Sequence, residues 1–146
     1  MRLADTSLGD FVLFVHPRIA RPEDQVSAEW LQVPGAKGCT AESCEFRDLA
    51  DDFRRLGLSV YGLSTQDTAE QVEAVRRLRL SYPLLSDPRL ALQRALGLPT
   101  FTYDGRQLYK RSTLVVRGGA VVVAQLEVED AAAHPHELLV LLRSSA

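Results

Sequence analysis

The chain has 146 residues, 46% hydrophobic and 25% charged, which is the make-up of one ordinary folded domain spanning 1–146 rather than a disordered or fibrous chain. A formal charge of -2, from 17 Lys and Arg against 19 Asp and Glu, gives no electrostatic pull toward nucleic acid or an anionic membrane. The longest apolar runs, Phe11 to Val15 and Ala120 to Ala124, fall well short of the roughly 20 residues a bilayer needs, and the N-terminus lacks the plan of a signal peptide. A cytoplasmic location follows as the expectation, and in that reducing compartment two cysteines are expected to do chemistry rather than staple the fold.

Phe11-Val-Leu-Phe-Val15 reads as a buried strand closed by Pro17. Residues 18–38 carry Pro22, Pro34, Gly35 and Gly38 and read as a long loop with a helical turn around Glu23 to Leu31. From Cys39 to Leu56, Phe46, Leu49, Ala50, Phe53 and Leu56 recur at three- and four-residue spacing, and Gly57 stops the pattern, so a helix is expected there. Leu58 to Leu63 follows as a strand, then a helix capped within Ser64 to Asp67 and built on Val72, Val75 and Leu78. Pro83 to Leu85 reads as a short strand, and Ser86-Asp-Pro88 as the start of a helix running through Leu90 to Leu96. Thr113 to Val116 and Val121 to Val128 form the one clear hairpin, and a last helix spans His136 to Leu142. Alternating strands and helices ending in a hairpin and a helix predict an α/β fold, a central mixed β-sheet flanked by helices, as in the thioredoxin-like sandwich.

Cys39 stands at the first turn of the strongest helix, where unpaired N–H groups and the positive end of the macrodipole favour a thiolate and should lower its pKa. A lone cysteine there would more simply be a small core hydrophobe. Cys44 lies five residues on, turned about 140° away, so Cys39 is expected inward and Cys44 outward, with Cα atoms about 8.6 Å apart. That exceeds the roughly 7 Å a disulfide can span, so bonding would require the first turns of the helix to unwind. A metal site is not expected, because C-x4-C has no second Cys or His pair near it. His16, His134 and His136 read as solvated or loop histidines, and Arg47 as a residue that pairs on its own helix or lines the site.

The segment Gly38-Cys-Thr-Ala-Glu-Ser-Cys-Glu-Phe-Arg-Asp48 resembles the active-site stretch of the peroxiredoxin Q, or bacterioferritin comigratory protein, group of peroxiredoxins. Phe14-Val-His-Pro17, Tyr61-Gly-Leu-Ser64, Tyr82-Pro-Leu-Leu-Ser-Asp-Pro88 and Arg111-Ser-Thr-Leu114 resemble further family segments in the same order. The resemblance implies a thioredoxin-like fold and a thiol-dependent peroxidase needing no cofactor. Cys39 would be the peroxidatic nucleophile, Cys44 the resolving thiol and Arg111 the cation that holds the thiolate and polarises the peroxide. Hydrogen peroxide or an alkyl hydroperoxide would be the substrate, thioredoxin or a similar dithiol the reductant, and the protein a monomer, since the resolving thiol is on the same helix. Read without that resemblance, Arg111 is a solvated arginine at a strand edge.

The chain departs from the family pattern before Cys39. Gln32 and Ala36 stand where a proline and a threonine are expected, and Pro17 lies 22 positions before Cys39 rather than seven, which implies an insertion ahead of the active-site helix. The N-terminal hairpin of the family is expected to be missing, and the inserted Trp30 and Leu31 are expected to cover a sheet edge, cap the site or meet a partner. The missing threonine hydroxyl leaves open an alternative, a thioredoxin-fold redox sensor or binding protein with weak peroxidase activity.

Overall fold

The computed structural model describes residues 9–19, 30 and 38–144. The expected loop turn at Glu23 to Leu31, Gln32, Ala36 and the question of an N-terminal hairpin lie outside the described residues, apart from Trp30.

The central sheet grows from β1 (Phe11–Val15), whose five side chains are all buried because the strand is covered on both faces. It pairs in parallel with β2 (Ser59–Ser64) and antiparallel with β6 (Ser112–Arg117). With β3 (Leu84–Ser86) and β7 (Ala120–Gln125) the order is β3-β2-β1-β6-β7, a mixed sheet. On one face, Val12 and Phe14 meet Phe46 and Phe53 of α1 (Cys39–Arg55) and Leu138, Leu139 and Leu142 of α4 (His134–Ser144). On the other, Phe11, Leu13 and Val15 pack toward Leu92 of α3 (Ala91–Leu96) and Tyr109. Each fully buried Phe or Leu of these layers contributes about 1.5–3 kcal/mol by transfer alone. α2 (Thr68–Arg77) begins at Asp67, whose carboxylate accepts from Glu70 N–H at 2.8 Å, and packs Ala74 on the α1 side.

The α/β expectation holds, and four details differ. Thr100–Tyr103 (β4) and Arg106–Tyr109 (β5) form a second, two-stranded sheet that the sequence reading passed over. The turn between them puts Asp104 and Gly105 at φ 51° and 72°, the left-handed pair a tight hairpin requires. Helix α3 does not start at Pro88: Asp87 accepts from Ala91 N–H at 2.8 Å and Leu92 N–H at 3.0 Å, so residues 88–90 form a turn ahead of it. β7 ends at Gln125 rather than Val128, because Val128 N–H leaves the ladder and donates to the Arg111 carbonyl at 2.7 Å. The last helix starts two residues earlier than expected, at His134.

Trp30 is buried against Leu108, Phe101 and Tyr103 of the small sheet, with the Arg18 guanidinium 5.3 Å from its ring centroid. The described part of the insertion therefore covers the β4–β5 hairpin. No helix among the described residues is long and apolar enough to cross a membrane.

Candidate active site

Gly38 caps α1 at φ 97°, a left-handed conformation, and a Cβ there would come within 2.9 Å of Ala131 Cβ. Only glycine satisfies both constraints, and the turn it makes sets Cys39 as the first helical residue. The amphipathic phase of α1 then aims Cys39, Glu42, Ser43, Phe46, Ala50 and Phe53 into the protein. Cys39 is only 3% exposed, whereas Cys44 is half-buried, and neither cysteine is in a disulfide.

Arg111 enters from the start of β6 and is 1% exposed, so the solvated reading of this residue is wrong. Its backbone is fixed by Val128 N–H, and its guanidinium forks: Nη2 donates to Cys39 Sγ at 3.3 Å and Nη1 to Glu42 Oε1 at 2.6 Å. One cation thus serves two acids in a buried pocket, with both side chains of the Arg111–Glu42 pair fully buried. The Arg18 backbone N–H also bonds Cys39. That donor is placed by Gln66, which accepts from Ile19 N–H at 2.9 Å and donates to Ile19 O at 3.1 Å.

The expected depression of the Cys39 pKa is overturned. Burial pushes the thiol above its ordinary value; the Arg111 charge pulls the other way, Glu42 adds to the rise, and the hydrogen bonds from Arg18 N–H and Arg111 favour the thiolate. Glu42 is itself pushed up to about 7 by burial, against the pull of Arg111. Its Oε2 has no hydrogen-bond partner among the described residues. Arg111 thus supplies one positive charge to two buried acids, and burial favours the protonated form of each.

Of the histidines expected to be solvated or in loops, His16 does follow β1 outside any helix or strand, but it and His134 are buried. His16 is fully enclosed, 5.4 Å from the Phe14 ring, and burial together with the Arg111 charge lowers it to about 3. Neither ring nitrogen has a partner among the described residues. His134 is 3% exposed, its Nε2 is 2.8 Å from Thr113 Oγ1, and the same two causes lower it to about 4. Both are neutral at pH 7 and form a wall of the site, while His136 is exposed. Among the described residues no cluster of three or more His, Cys, Asp or Glu is placed to hold a metal ion.

Cys44 faces a different neighbourhood, with the Arg47 guanidinium and the neutral Tyr82 hydroxyl close to it. Arg47 pairs with Asp48 at 2.9 Å and donates through Nη1 to Leu78 O at 2.6 Å, so it belongs to this outer face and not to the Cys39 pocket. Tyr82 donates its hydroxyl to Ser43 O at 2.6 Å. A cavity of about 560 Å3 is lined by Arg18, Gln66, Leu90, Tyr103 and Arg106 among others, and by neither Cys39 nor Arg111, so it borders the site only through Arg18. The sequence reading thus named Cys39, Cys44 and Arg111; the structure joins the first and third, sets the second apart, and adds Glu42 and His16.

The AhpC/TSA family profile matches residues 33–125. A Mycobacterium tuberculosis protein named for the peroxiredoxins is 40% identical over 101 residues, 63% of this chain and 61% of that protein, so the chain matches under two thirds of that relative's length. A second protein so named from the same organism is 30% identical over 137 residues, 93% of this chain and 79% of its own. Among solved structures, Peroxidoxin BcpB from Mycobacterium tuberculosis superposes with a TM-score of 0.74 at 30% identity, covering 96% of this chain and 82% of that one. A Xylella fastidiosa peroxiredoxin Q superposes with a TM-score of 0.77 at 22% identity, covering 98% and 81%, a likeness of fold. With the fold, the cysteine-bearing helix and the sequence match in agreement, the chain belongs to the AhpC/TSA family of peroxiredoxins.

Proposed function

We propose that this chain is a thiol-dependent peroxidase in which Cys39 reacts with hydrogen peroxide or a small alkyl hydroperoxide. The observation that carries this reading is the Arg111 guanidinium 3.3 Å from a buried Cys39 Sγ at the N-terminus of α1. The Cys39 thiolate attacks one peroxide oxygen, the S–O bond forms as the O–O bond breaks, and the departing oxygen leaves as water or an alcohol once protonated. Arg111 and the N–H groups at the helix start stabilise the thiolate and the charge shed onto that oxygen. Glu42, pushed up to about 7 and with an Oε2 that has no hydrogen-bond partner among the described residues, is suited to take the thiol proton.

Cys39 sulfenic acid then condenses with the Cys44 thiol, losing water and forming a disulfide, and an external dithiol such as thioredoxin takes up the oxidation by exchange. Resolution within one helix needs no second subunit, which favours a monomer, and turnover by an external dithiol fits a reducing compartment such as the cytoplasm. The rise of the Cys39 pKa favours a second reading, a slow redox sensor. Steady-state peroxide consumption driven by thioredoxin and its reductase separates them. The peroxidase reading expects many turnovers per protein, lost in Cys39→Ser; oxidation that stalls after one equivalent would make the sensor reading lead.

A further inference from the structure

Helix α1 is held at two points by the segment that follows α2. Arg47 Nη1 donates to Leu78 O at 2.6 Å, and four residues further along this segment the Tyr82 hydroxyl donates to Ser43 O, also at 2.6 Å. Ser43 O belongs to the peptide bond that leads into Cys44. Ser43 is fully buried, and its own hydroxyl has no hydrogen-bond partner among the described residues, so the carbonyl is the group that fastens this turn. Tyr82 is 6% exposed, and its ring stands edge-on to Phe14 at 5.7 Å, which leaves the hydroxyl little freedom to leave the carbonyl while the helix is intact.

Resting on the peroxidase reading above, we infer that Tyr82 is a positioning residue that latches the Ser43–Cys44 peptide and so sets how readily Cys44 reaches Cys39. Two thiols five helical positions apart point about 140° away from each other, and their Cα atoms are about 8.6 Å apart. Bonding therefore requires the backbone between them to turn. The peptide that must swing is the one Tyr82 holds, while the bond from Arg47 to Leu78 O lies beyond the moving turn and can persist. The latch opposes resolution and leaves the first oxidation untouched. In the closed helix the Cys39 sulfenic acid waits; when the turn opens, the Cys44 sulfur displaces the sulfenic oxygen, which leaves as water. While the latch is closed, a second peroxide can instead oxidise the sulfenic acid to the sulfinic acid.

The test is Tyr82→Phe, which keeps the ring against Phe14 and removes only the donor. Reduced protein is mixed with one equivalent of hydrogen peroxide, quenched in acid and followed by mass for sulfenic acid and disulfide. Loss of the Cys39 thiol should run at the wild-type rate. Disulfide formation should accelerate about two- to tenfold, the span expected when one net hydrogen bond is removed from the closed state alone. Under a large excess of peroxide the sulfinic fraction should fall in step. A merely structural role would lower the melting temperature without accelerating resolution. Resolution at the wild-type rate or slower, with Cys39→Ser still abolishing the reaction, would overturn the latch alone. A Cys39→Ser protein that consumes peroxide like the wild type would overturn the peroxidase reading, and the latch with it.

Discussion

The two ends of the first two turns of α1 carry the same functional group in opposed settings. Cys39 is enclosed by charges that cannot move: Arg111 is anchored through its backbone to Val128, and Glu42 is locked on the same guanidinium. Cys44 is half-buried beside side chains that hold the backbone around it, Tyr82 on Ser43 O and Arg47 on Leu78 O. A nucleophile gains from a fixed electrostatic surround, because the donors are already in place when charge develops. A resolving group gains from a mobile backbone held by a few breakable bonds. One helix offers both settings, with its Cys39 face rooted in β1 and β6 and the backbone at Cys44 held by the segment that follows α2.

The severest way to break that contrast is to remove the shared cation. Arg111→Gln should slow peroxide-dependent loss of the Cys39 thiol by about 10² to 10³ in stopped-flow measurement. It should also cost about 3–5 kcal/mol of stability by leaving the buried Glu42 carboxylate without its cation. Arg111→Lys keeps the charge but not the fork, and should recover only part of the rate. Phe46 forms the floor under the pocket, stacked on Phe14 at 4.5 Å and edge-on to His134 at 6.1 Å. Phe46→Ala should lower unfolding stability by about 3–5 kcal/mol in denaturant titration.

Two titrations sharpen the comparison. Glu42→Gln removes a negative charge that pushes the Cys39 thiol up, so the pH profile of thiol alkylation should move to lower pH. No movement, or movement upward, would show that Glu42 acts only by holding Arg111. His16 and His134 are held neutral in the fold, so below pH 6.5 the unfolded chain takes up protons that the folded one refuses, and stability falls as pH falls. Each contributes a slope of about 1.4 kcal/mol per pH unit where its unfolded form alone is protonated. Glu42, raised from 4.5 to about 7, works with the opposite sign over that window, so its contribution is lost as pH rises through 7. His16→Phe should remove about one proton of this uptake between pH 5 and 6, flattening the acid limb of a stability titration.

Much of the scaffold was legible because it rests on local signals. The spacing of Phe46, Ala50 and Phe53, the unbroken apolar β1 and the glycines that follow α1 and α3, Gly57 and Gly97, identify elements without knowledge of the fold. The β4–β5 hairpin was legible and missed: Asp104-Gly105 between Thr100-Phe-Thr-Tyr103 and Arg106-Gln-Leu-Tyr109 is the strongest short hairpin signal a sequence carries. Glu42 was not legible by local reading. A glutamate in the first turn of a helix suits the macrodipole at the surface, and nothing nearby indicates that an arginine 69 positions away will draw it inside. His16 was half legible, since it directly follows a strand buried on both faces. The Cys39 pKa was misjudged because the helix terminus can be read from the chain and the depth of burial, which dominates, cannot.

The central claim, that Cys39 is the nucleophile and Cys44 its resolving partner, is tested most directly by the mass of Cys44→Ser after one equivalent of hydrogen peroxide in the presence of a sulfenic-acid trap. The account predicts a single trapped adduct on Cys39, with the wild-type protein instead losing two hydrogens to an internal disulfide. An adduct absent from Cys39, or a wild-type protein left with both thiols reduced, would contradict it.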